Sequence, residues 1–179
     1  MIDVASSQLI IVDMQERLVP ATVDGDSVTA NVEIVLDTAA ILGVPYTISE
    51  QYPKGLGATV APVLAKADRD RVFDKVHFSC VDDDRLEASL RALDRRQTIV
   101  CGMEAHVCVL QSVLGLMESG YDVHVIADAV TSRTERNRDL ALDRMREEGA
   151  AIVSTEMVVF EWLRTAGHPD FRVVSNLIK

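Results

Sequence analysis

Thr98-Ile99-Val100-Cys101-Gly102-Met103-Glu104-Ala105-His106-Val107-Cys108-Val109-Leu110 runs from a short apolar, β-branched stretch through one glycine into a segment of helical periodicity. A buried strand that turns directly into a helix is the unit from which helix-covered parallel sheets are built. The alternation repeats outward from this stretch. Further short apolar runs occur at Gln8–Asp13, Tyr46–Ser49, Val123–Ala127 and Ala150–Ser154, with a shorter one at Arg71-Val72-Phe73. Between them the periodicity predicts helices over Ser27–Leu42, Ala58–Ala65, Asp83–Leu93, Ala105–Ser119, Glu135–Glu148 and Glu156–Leu163, and a tail near Asp170–Ile178. Gly43, Gly120 and Gly149 follow helical stretches where a left-handed C-terminal residue is needed, and Asp82, Thr134 or Thr155 can cap helix starts. The expected fold is α/β: a three-layer α/β/α sandwich with a parallel, Rossmann-like sheet, in one domain over residues 1–179.

In such sheets ligands bind outside the carboxyl ends of the strands, where the strand order reverses. That rule singles out three places. Asp13 ends the first strand and is followed by Gln15; Lys75 follows the short run at Val72; Cys108 lies just beyond the strand ending at Cys101. Asp13 reads either as a solvent-facing cap or as a general base at the mouth of an apolar pocket. Lys75, between Phe73 and Phe78, reads either as a surface charge or as a cation stabilising anions next to Asp13 and Cys108. Cys108 reads either as a small core residue, as Cys80 and Cys101 do, or as a nucleophile whose thiolate is favoured by a helix N-terminus.

The chain has 179 residues, enough for a full core, and a formal net charge of −10 with a pI near 4.8. That balance argues against nucleic acid or an anionic membrane as partner, because both reward clustered Lys and Arg. Met1–Ser7 lacks the basic and apolar pattern of a secretory signal, and no apolar run is long enough to span a bilayer, which predicts a cytoplasmic location. Three cysteines without zinc-type spacing predict reduced thiols and no structural metal. Val158, Val159, Trp162, Leu163, Val173, Val174, Leu177 and Ile178 put many apolar residues in the last segment. They read either as packing over a sheet edge or as part of a homo-oligomer interface.

Taken together, Leu9-Ile10-Ile11-Val12-Asp13-Met14-Gln15, then Lys75 with Phe78-Ser79, then Gly102 through Cys108-Val109, resemble the isochorismatase-like cysteine hydrolase superfamily. Glu50–Gly57, Glu104–Gln111 and Ala127–Arg133 are similar to its isochorismatase domain-containing subgroup. The resemblance implies an Asp-Lys-Cys triad of Asp13, Lys75 and Cys108. It also implies a cis peptide between Met103 and Glu104, and an oxyanion hole from the backbone amides of Glu104 and Cys108. Gln15, Tyr52 and Phe78 are the candidate substrate contacts, and the two aromatics read equally as core. Nicotinamidases, which share the triad, commonly carry Ala-Thr-Asp where Glu104-Ala105-His106 stands, and hold a metal after the second strand. Here that region is Gln51-Tyr52-Pro53-Lys54, without His, so no metal or other cofactor is expected. The expected activity is hydrolysis of a small-molecule amide or related C–N bond through an acyl-thioester. The alternative is a binding or scaffolding module that keeps the hydrolase fold. Glu104 either lines the pocket or turns outward and contributes only its amide. His106 either caps the helix or faces a second subunit.

Overall fold

The computed structural model describes residues Met1–Lys179. Six strands, β1 (Ser7–Val12), β2 (Tyr46–Gln51), β3 (Val72–Lys75), β4 (Gln97–Met103), β5 (Asp122–Thr131) and β6 (Ala151–Val153), form one sheet in the order β3-β2-β1-β4-β5-β6. Every neighbouring pair is parallel. The connecting helices are α1 (Gly25–Leu42), the one-turn α2 (Pro53–Leu56) and α3 (Ala61–Leu64), α4 (Asp84–Ala92), α5 (Leu110–Glu118), α6 (Glu135–Glu147), α7 (Thr155–Leu163) and α8 (Phe171–Ser175).

The two-residue period of a strand explains the layering. From β1, Leu9 and Ile11 join one core with Val32, Val35 and Leu36 of α1 and Val158 and Trp162 of α7. Ile10 and Val12 point the other way, into a second core with Leu86 and Leu90 of α4, Val113 and Leu116 of α5, and Ala141 and Met145 of α6. Both faces of the sheet are therefore covered, as its near-continuous apolar strands require. Most of the C-terminal apolar excess is absorbed internally: Val158, Val159, Trp162, Leu163 and Val174 are buried, while Val173 remains exposed.

Several boundaries differ from the sequence expectation, each for a local reason. The helix expected over 58–65 is confined to Ala61–Leu64. Thr59 instead forms a bridge with Gln15, and its N–H and hydroxyl both donate to Glu50 Oε1 at 2.7 Å, so its backbone is committed elsewhere. β5 runs on to Thr131, because its second half pairs with Gly102 and Met103 after a register shift. Asp83 rather than Asp82 caps α4, and Ser154 rather than Thr155 caps α7; Thr134 caps α6.

The chain winds from β1 outward to β3, then returns to β4 on the other side of β1. The strand order thus reverses between β1 and β4, and the carboxyl ends of these two strands flank the crevice predicted for ligands. Gly102 makes their close approach possible. It lies opposite Val12 with φ +116°, and a Cβ built there would sit 2.0 Å from the Val12 carbonyl oxygen.

Candidate active site

Asp13 leaves β1 in a left-handed conformation, φ 50°, with its N–H held by the Ser49 carbonyl at 3.1 Å. Its side chain is fully buried. Ser49 Oγ donates to Oδ1 at 2.6 Å, and Lys75 Nζ donates to Oδ2 at 2.8 Å. Asp13 is therefore no solvent-facing cap.

Lys75 closes the edge strand β3 and reaches inward over β2. Its ammonium has three N–H bonds, and three acceptors surround it: Asp13 Oδ2 and Gln51 Oε1 at 2.8 Å, and the Phe78 carbonyl at 3.1 Å. No donor is left for a bound ligand. Burial works against the charged form, but the neighbouring Asp13, by its charge and its hydrogen bond, acts the other way, and the Lys75 pKa is raised. The charge is thus retained in a site closed to water, where its field is screened least.

Cys108 lies in the π-turn Ala105–Val109 that precedes α5, and only 5% of it is exposed. Here the thiol differs from expectation. Burial first, then the Asp13 charge and hydrogen bonding, push its pKa up, and the opposing effect of Lys75 is smaller. A helix N-terminus does not produce a resting thiolate when the sulfur is desolvated beside a carboxylate. The arrangement instead pairs a neutral thiol with an adjacent base. Cys101 and Cys80 are buried core residues, as expected.

The Met103–Glu104 peptide bond is cis. The Glu104 carbonyl accepts from Val107 N–H at 3.0 Å and from Val109 N–H at 3.2 Å, whereas the Glu104 N–H donates to no group of the chain. A free backbone donor at the entrance of a helical turn suits a developing anion. The Glu104 side chain does not turn out to solvent. It is buried against Arg133, whose backbone N–H, Nε and a terminal nitrogen donate to its carboxylate at 3.1, 2.9 and 2.6 Å. Those bonds outweigh burial and lower the Glu104 pKa. His106 Nδ1 lies 3.0 Å from Ser132 Oγ, tying the turn to the same loop.

The other candidate contacts separate. Tyr52 and Phe78 are 54% and 50% exposed, so they are surface residues rather than core aromatics. Gln15 is buried with both amide hydrogens engaged. Its Nε2 donates to the carbonyls of Gln51 and Gly57 at 3.1 and 2.7 Å, and its Oε1 accepts from Gln51 N–H at 2.7 Å. It staples the loops after β1 and β2, and neither amide hydrogen is left for a ligand. Ser49 and Gln51 were missed by sequence reasoning, though polar residues two apart at the carboxyl end of β2 were a usable signal. No three His, Cys, Asp or Glu side chains converge in metal-binding geometry.

A sequence model of the isochorismatase domain matches residues 7–157. The secreted isochorismatase effector Isc1 of Phytophthora sojae is 39% identical over 178 residues, covering 97% of this chain and 85% of its own length. Among solved structures, that of the MAR1 ribonuclease from Caenorhabditis elegans superposes with a TM-score of 0.93 at 34% identity, covering 99% of this chain and 91% of its own. The YcaC gene product of Escherichia coli, described as an octameric hydrolase of unknown specificity, has a TM-score of 0.88 at 24% identity and covers 98% of this chain and 94% of its own.

Proposed function

Because this chain belongs to the isochorismatase family, we propose that it is a cysteine hydrolase cleaving a small amide or related C–N bond through a thioester on Cys108. The observation that carries this reading is the buried Asp13–Lys75 pair, 2.8 Å apart at the strand reversal, with the Cys108 thiol in its field. Asp13 takes the thiol proton as the sulfur attacks the carbonyl carbon, so no free thiolate has to persist. The amides of Glu104 and Cys108 hold the oxyanion. Lys75, its donors engaged, acts by its charge and by fixing the carboxylate. As the tetrahedral intermediate collapses, Asp13 protonates the leaving nitrogen. Asp13 then accepts a proton from the attacking water, and Cys108 departs and is reprotonated.

A small-molecule substrate and a cytoplasmic location belong to the same reading, as does a homo-oligomer. The last is supported by exposed Met157 and Phe160 on α7 and by Val173. The ribonuclease activity named for the nematode neighbour is not carried over, since a net charge of −10 is a poor platform for phosphate contacts. No helix is long and apolar enough to cross a membrane.

Mass spectrometry during turnover of candidate amides tests the mechanism. A thioester on Cys108 is expected in the parent chain and none in Cys108→Ala. Undiminished turnover by that variant would refute the covalent route. Failure to acylate Cys108 with any small amide or activated ester would favour the binding module instead.

A further inference from the structure

We infer that Arg133 is a positioning residue for acyl transfer, acting through Glu104 to aim the free Glu104 N–H at the oxyanion. The inference rests on the hydrolase reading, in which that N–H is an oxyanion donor.

Four observations converge on it. The register places Met103 opposite Thr131, so the turn after β4 and the loop after β5 emerge side by side. Arg133 grips the Glu104 carboxylate with a forked pair of guanidinium bonds and a third bond from its own N–H. A fork of this kind fixes orientation as well as distance, which a single point charge does not. The Glu104 carbonyl is held from the other side by Val107 and Val109. With side chain and carbonyl both anchored, the N–H is the one polar group of this residue left without a partner in the chain.

The burial pattern argues against an ordinary surface ion pair. The Glu104 side chain is 7% exposed and that of Arg133 is 62% exposed. A surface pair leaves both partners free to drift into water. Here Glu104 cannot drift, because losing Arg133 would leave a carboxylate desolvated and unpaired. Its escape is to rotate toward solvent, carrying the adjoining peptide with it. Arg133 thus has a role in the geometry of the turn without touching the reacting atoms.

Two chemistries at the same sulfur separate this role from general support of the fold. With p-nitrophenyl acetate, the Cys108 thiol loses its proton to Asp13, an S–C bond forms, and the C–O bond to nitrophenolate breaks. That path passes through an oxyanion. With iodoacetamide, the thiol likewise gives up its proton to Asp13, sulfur displaces iodide at a saturated carbon, and no oxyanion forms. Both rates at Cys108 are read by mass spectrometry on the full chain and its variants, with Cys108→Ala as the blank.

In Arg133→Ala the acetylation rate is expected to fall about tenfold or more, below the cost of deleting an oxyanion donor outright. The alkylation rate should match the parent. Arg133→Lys, which restores charge without the fork, should recover part of the loss. Unchanged acetylation in Arg133→Ala overturns the inference. So does a parallel loss of both rates, which would mean a collapsed site. A parent chain alkylated but never acetylated at Cys108 would refute the hydrolase reading itself, and this positioning role with it.

Discussion

Two ion pairs stand at neighbouring strand ends, and they are built differently. Asp13–Lys75 is closed on both sides, with 0% side-chain exposure for each partner and every ammonium hydrogen engaged. Glu104–Arg133 is closed on the carboxylate side alone. The first pair keeps charge where water cannot screen it, so it can act on a thiol that burial holds neutral. The second keeps a backbone turn in place and leaves its cation in solvent. In the proposed mechanism the pair buried on both sides serves the chemistry, and the pair buried on one side serves the positioning.

The sharpest way to break the comparison is to halve the first pair. Asp13→Asn should abolish acylation of Cys108, a loss of at least about 10²-fold if Asp13 is the general base. Lys75→Met should lower unfolding stability by about 3–5 kcal/mol, because it leaves Asp13 as a buried, uncompensated charge. Joined to Asp13→Asn, Lys75→Met should cost less than it does alone, without restoring acylation. Urea denaturation beside a burst assay measures both. If Lys75→Met alone proved neutral, the pair would not be coupled as its geometry implies. Ser49→Ala comes next. It removes a 2.6 Å bond to the same carboxylate and should cost about 1.5–3 kcal/mol, the range for hydrogen bonds to charged groups. Its acetylation rate should fall less than that of Asp13→Asn, since the base remains.

The comparison also marks what the sequence could reveal. That Asp13, Lys75 and Cys108 lie together was legible because each follows a strand at the carboxyl side of the sheet. The layers were legible because alternating residues such as Ile10 and Ile11 face opposite cores. What stayed hidden were relations across the sheet. Gln15 looked available because nothing local shows that its amide bonds to Gln51 and Gly57, 36 and 42 residues later. Arg133 could not be paired with Glu104 from sequence, since its partner lies 29 residues back. The expected thiolate fails for a similar reason: a helix N-terminus is visible in sequence, whereas the desolvation of the sulfur is not.

That last correction gives a pH test. With its pKa raised, Cys108 should react with iodoacetamide at a rate that keeps climbing above about pH 8.5, the ordinary thiol value, with no plateau near neutrality. A plateau below pH 8 would indicate a stabilised thiolate and would restore the helix-terminus account.

The smallest effect expected is the most informative about the two pairs. Lys75 has a raised pKa, so its contribution to stability is complete below about pH 10.4 and is lost as pH rises through its folded value. Glu104 has a lowered pKa, so its contribution is complete above about pH 4.3 and is lost as pH falls through its folded value. The buried pair should therefore weaken on the alkaline side, and the half-exposed pair on the acid side. Urea midpoints measured across both limbs resolve them when Arg133→Ala and Lys75→Met are run in parallel. Arg133→Ala should flatten part of the acid limb and leave the alkaline limb as in the parent, by a modest margin because its guanidinium is already in water. Lys75→Met should flatten part of the alkaline limb. A change on the alkaline limb in Arg133→Ala would mean that the two pairs act as one network, and the division between chemistry and positioning would fail.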